Sequence, residues 1–75
     1  MSILPILKAR VVIETLLRAE FVILRQKGSH VQLEHALKPG FRVTLPYHNY
    51  DLAPGTINSI IKQMGLTKNE FENLL

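Results

Sequence analysis

Cysteine and tryptophan are both absent from this chain, and no apolar run approaches a bilayer span. Without cysteine there are no disulfides and no thiolate metal sites, so 75 residues must be held together by apolar packing alone. The lack of thiols fits a reducing compartment, and a cytoplasmic location is expected. A membrane-spanning helix needs ~20 consecutive apolar residues, which the chain does not have, so no membrane partner is expected. The apolar N-terminal stretch is broken by Pro5, Lys8 and Arg10 and does not read as a signal peptide. Repeats, linkers and low-complexity tracts are also missing.

What is present bounds the answer. Hydrophobic residues make up 47% of the chain, enough for one dense core, and the length sets a single domain over residues 1–75. The formal charge is +3 with a pI near 9.6, a mild bias toward a polyanionic partner.

Periodicity orders the elements. Residues 7–19 carry an apolar stripe of Leu7, Val11, Leu16 and Leu17 with Val12 and Ile13 nearby, which predicts a helix. Residues 21–25 form a β-rich run, and Lys27-Gly28-Ser29 reads as the turn after it. From His30 to His35 the pattern alternates, with Val31 and Leu33 on one face and His30, Gln32 and Glu34 on the other. After a Lys38-Pro39-Gly40 turn, Phe41, Val43 and Leu45 are expected inward and Arg42 and Thr44 outward. Pro54 suits the first position of a second helix, whose Ile57, Ile60, Ile61 and Met64 share one face and whose end is marked by Gly65. Thr67 and Glu70 have the spacing of a capping box, and Leu66 and Phe71 that of a hydrophobic staple, for a short last helix.

The expected fold is therefore α+β, in the order α-β-β-β-α with a short C-terminal helix. Both main helices need cover, and a three-stranded antiparallel sheet with one apolar face supplies it. The opposite face is left open and carries His30, Gln32, Glu34, Arg42 and Thr44. Double-stranded-RNA-binding domains share this element order.

On that open face the tripeptide Gly28-Ser29-His30, preceded by Arg25, Gln26 and Lys27, sets an imidazole beside cations at the start of a strand. Imidazole, with an unperturbed pKa of ~6.5, gives or takes a proton near neutrality. A site that handles phosphate needs positive groups for its charge and, for any chemistry, a group that moves protons. His30 suits the proton transfer and Lys27 the charge, with the Gly28 and Ser29 amides as further donors to phosphate. The other reading of the same residues is a surface histidine that ends a turn. His48, just after the third strand, is a second acid/base candidate or a loop residue that contacts a partner. His35 has the parity of Val31 and Leu33 and reads as structural.

No histidine or carboxylate spacing suits a metal, and no cofactor is expected. Ser29 has no third group to activate it and reads as a turn residue. Arg25, Lys27, Lys38, Arg42 and Lys62 are candidates for RNA backbone contact, the first two best placed. Tyr47 and Tyr50 stack on bases, anchor a partner or cover the core edge.

Three stretches together resemble the HicA toxins of the YcfA-like family. They are Arg25-Gln26-Lys27-Gly28-Ser29-His30; Val43-Thr44-Leu45-Pro46 followed by His48; and residues 54–63 with Gly65-Leu66-Thr67. The resemblance covers nearly the whole chain. It implies a double-stranded-RNA-binding-domain-like fold, a metal-independent endoribonuclease (an mRNA interferase) with His30 as the catalytic residue, and a HicB-type antitoxin partner. Two positions depart from the family pattern: Ala36 stands where many members have proline, and Glu20 where a glycine is usual. The alternative function is a non-catalytic RNA-binding module that uses the same face.

Overall fold

The computed structural model describes residues 6–47 and 51–75. Its first helix, α1, spans Ala9–Arg18 and starts two residues later than periodicity suggests. Lys8 is extended there, bridged to Asp51, and Leu52 donates its N–H to the Leu7 carbonyl at 2.8 Å. This short pairing takes the first residues of the apolar stripe out of the helix. Ala9, Val12, Thr15 and Leu16 form the buried face of α1, while Leu17 is about half exposed. Thr15 is the one buried polar residue among those described, and its hydroxyl donates back to the Val11 carbonyl at 2.9 Å.

Three strands follow: β1 (Phe21–Lys27), β2 (His30–His35) and β3 (Arg42–Pro46), paired antiparallel in that order. The β1–β2 turn is tighter than Lys27-Gly28-Ser29, because Lys27 pairs with His30 and only Gly28 and Ser29 lie between. Gly28 has φ 59° while Ser29 is not left-handed, the pattern of a type II′ hairpin turn. Helix α2 (Pro54–Met64) begins with proline in its first turn and ends on Gly65 at φ 76°. Helix α3 (Lys68–Leu74) has both bonds of its capping box, Glu70 N–H to the Thr67 hydroxyl at 3.1 Å and Thr67 N–H to the Glu70 carboxylate at 2.8 Å.

The core lies between the helices and one sheet face. Val31, Leu33, Val43 and Leu45 meet Val12, Leu16, Ile57, Ile60, Ile61, Met64 and Phe71. Helix α1 packs on β1 and α2 on β3, and α3 touches both helices. Arg18 ties α3 down by donating Nε–H to the Leu74 carbonyl at 2.8 Å, a cation at a helix C-terminus. Phe41 departs from expectation. It lies just before β3, is partly exposed, and rests its ring on Gly65, where an added Cβ would come within 2.6 Å of it. The two sheet edges differ. On β3 the Thr44 N–H is taken up by the Gln63 side chain from α2 at 3.1 Å, whereas β1 carries a register irregularity, two cations and the half-exposed Val22, Ile23 and Leu24.

Glu20, at the exit of α1, has φ 72° and is the one non-glycine residue in the left-handed region among those described. Its carbonyl accepts from Ala36 N–H at 2.8 Å, joining the α1 exit to the end of β2. The two departures from the family pattern therefore meet in one hydrogen bond, and a proline at 36 would have no N–H to donate. A side chain in left-handed backbone costs ~1 kcal/mol relative to glycine. Glu20→Gly is accordingly expected to raise stability by about 0.5–1 kcal/mol in urea unfolding. No change, or a loss, would show that the Glu20 side chain offsets its backbone strain.

Candidate active site on the open sheet face

The register places the site. Between Ile23, which pairs with Leu33, and Arg25, which pairs with Gln32, the strand carries one extra residue, Leu24. Counted by twos from Phe21, Arg25 and Lys27 belong to the core side. The extra residue reverses their parity and brings both to the open face. Three cross-strand rows result: Lys27–His30–Pro46, then Arg25–Gln32–Thr44, then Val22–Glu34–Arg42. Directly opposed side chains begin ~5 Å apart, and successive rows on one face are ~6.6 Å apart.

The first two rows enclose a shallow cavity of about 270 Å³, lined by Arg25, Lys27, His30, Gln32 and Thr44. His30 is exposed at its rim, with two cations on the β1 side. Gly28 and Ser29 are exposed beside it, and the Ser29 carbonyl is fixed by the Tyr47 N–H. Among the described residues no carboxylate lines the cavity.

Arg42 stands apart from this group. It shares the open face but lies in the third row, where its Nε–H donates to the Glu34 carboxylate at 3.1 Å. That bond, helped by Gly40 N–H at 3.4 Å, holds the Glu34 carboxyl below the usual carboxylate range. A depressed carboxyl stabilises the fold above its unfolded pKa, and this contribution disappears as pH falls through the folded value. Wild type should therefore lose Tm more steeply than Glu34→Gln from about pH 5 downward. Parallel curves would show that the pair contributes nothing measurable, as many exposed pairs do.

His35 is outside the site. Its Nδ1 accepts from the Leu37 and Lys38 N–H groups at 3.0 and 3.1 Å, and its ring meets Phe21 edge-on at 5.0 Å. It organises the β2–β3 turn, in keeping with its parity. His48 and Tyr50 lie outside the described residues. Lys38 sits over the Phe41 ring at 5.9 Å, and Lys62 lines a second hollow beside α2, both away from the cavity. Sequence reasoning placed Gln32 and Thr44 on the open face without assigning them to the site. The signal was their alternation with Val31 and Leu45 on neighbouring strands.

A two-layer α+β domain with an uncovered sheet face, on which a histidine stands among cations, is the class defined by this fold and site. The family described as HicA toxin of bacterial toxin-antitoxin matches residues 9–66, and the chain belongs to that family. It is therefore a toxin component of a toxin–antitoxin system, with an antitoxin as its partner in general. No curated protein matches the chain. Among the described residues no helix is long and apolar enough to cross a membrane.

Proposed function

We propose that the chain is an endoribonuclease that cuts RNA, mRNA first of all, in the cytoplasm and without a metal ion. One observation carries this reading: the strand irregularity at Leu24 gathers Arg25 and Lys27 around His30 on the uncovered face. The cavity offers cations where a metal site would need carboxylates, so phosphate charge is met by side chains. His30 moves the proton. A base removes it from a ribose 2′-OH, the 2′-oxygen attacks phosphorus, and the bond from phosphorus to the 5′-oxygen breaks. A proton returned to that oxygen leaves a 2′,3′-cyclic phosphate and a 5′-hydroxyl. His30 fills one of these two roles and His48 is proposed for the other. Arg25, Lys27 and the Gly28 and Ser29 amides hold the phosphate and stabilise its transition-state charge, while Arg42, paired with Glu34 in the third row, contacts the strand only by sharing its guanidinium N–H groups with the RNA backbone.

Inhibition follows from the same geometry. A HicB-type antitoxin that covers the open face would exclude RNA from His30. Pulsed expression of the chain in bacteria, alone and with the neighbouring open reading frame, tests the pair. Growth arrest relieved by the neighbour is expected. Harmless expression of the folded chain alone would favour the second reading, an RNA-binding module that uses the same cations without chemistry.

A further inference from the structure

We propose that the open-face cavity is a one-nucleotide subsite in which Gln32 reads the base of an unpaired strand. This rests on the ribonucleotide reading of the site above. The division of labour among the lining residues points to it. Arg25 and Lys27 carry charge for phosphate and His30 is proposed for the proton transfer, which leaves the Gln32 amide and the Thr44 hydroxyl. An amide neither neutralises phosphate nor moves protons at neutral pH. It offers one acceptor and two donors in a plane, the complement of a base edge.

The Gln32 side chain is available for that role. It is half-buried at the centre of its row, between Arg25 and Thr44, and makes no hydrogen bond within the described residues. Its neighbours behave differently. Glu34 and Arg42 satisfy each other in the next row, and Gln63 is spent on the β3 edge. Gln32 lies two residues along β2 from His30, ~6.6 Å, so a nucleotide whose ribose meets His30 extends its base toward the amide. Thr44, directly opposite, has a hydroxyl that rotates to donate or accept as the base requires.

Size and shape select the strand. At about 270 Å³ the shallow cavity lies just below the usual range of small-ligand pockets, room for no more than one nucleotide unit. In an RNA duplex the base edges are paired and the major groove is too deep and narrow to read. The shallow minor groove shows only a degenerate edge pattern, so a base has to be unpaired to present its pairing edge to Gln32, although the element order is that of a duplex-binding domain.

The test uses four RNA oligonucleotides that differ only in the base of the nucleotide whose 2′-OH attacks, single-stranded and annealed. Wild type, Gln32→Leu and Gln32→Glu are compared for kcat, KM and Tm. Binding of the same four strands to His30→Ala protein, with and without Gln32→Leu, is followed by fluorescence anisotropy. Wild type should rank the bases over at least about fivefold and cut the duplex at least ~10-fold more slowly. Gln32→Leu should flatten the ranking to within about twofold, chiefly through KM, at unchanged Tm. Gln32→Glu, which keeps the shape but loses the donors, should reorder it. An unchanged ranking in Gln32→Leu, or equal cutting of duplex and single strand, overturns the inference while leaving the ribonuclease standing. If wild type cuts nothing but binding is base-ranked through Gln32, the subsite stands and the chemistry falls.

Discussion

His30→Ala is expected to abolish RNA cleavage and growth arrest while the protein stays folded and still binds RNA. General acid–base catalysis by one positioned side chain contributes about 10²–10⁴-fold, and the loss should fall in that range or below detection. The structure explains why folding should survive. His30 is exposed at the first position of β2, directly after a two-residue turn, and its ring makes no hydrogen bond among the described residues. The strand backbone that pairs Lys27 with His30 and His30 with Pro46 is unaffected by the side chain. His35→Ala is the useful contrast. Its ring accepts two backbone N–H groups and packs on Phe21, so its removal should cost about 1–2 kcal/mol of stability and leave cleavage by the folded fraction intact. If His30→Ala stays fully active, the imidazole at the hairpin is a surface residue.

The second large effect concerns the cations. Replacing Arg25 and Lys27 together by glutamine should weaken RNA binding by one to two orders of magnitude at moderate salt. It should also flatten the salt dependence. Each phosphate contact to a single strand contributes ~0.7 to the slope of log K against log salt, so losing two should reduce it by about 1.4. The same change at Lys38 and Lys62, which lie away from the cavity, should move the slope far less. Equal slopes for the two double variants would mean that net charge, and not the placement of Arg25 and Lys27, sets the affinity.

That placement is the part of the site that the amino-acid pattern conceals. The strands, both main helices and the capping box were legible because each carries a periodic or terminal signal: Val31 and Leu33 alternating with His30 and Gln32, the four-residue stripe from Ile57 to Met64, Thr67 with Glu70. The open face followed from these. The extra residue in β1 left no such mark. Irregularities of this kind are commonly signalled by glycine, and Leu24 lies inside an unbroken apolar run. The tripeptide drew attention to His30 and its sequence neighbours Arg25 and Lys27, yet only the register shows why the cations share its face. Phe41 misled for a similar reason. Its parity matches Val43 and Leu45, but it precedes the paired residues and packs sideways on Gly65. Glu20 occupies a backbone position that favours glycine, which no local pattern around it announces.

Alanine at 36 and glutamate at 20 join the end of α1 to the end of β2, away from the hairpin that carries His30. The Ala36–Glu20 hydrogen bond lies just past the far end of β2, which runs from His30 to His35. These two positions thus lie at the opposite end of β2 from the cavity.

The most direct measurement is the chemical form of the RNA ends left by highly purified protein in excess chelator. The account predicts a 2′,3′-cyclic phosphate on one fragment and a 5′-hydroxyl on the other, from wild type and not from His30→Ala. Cleavage that stops when chelator is added, or that leaves a 3′-hydroxyl and a 5′-phosphate, would contradict it.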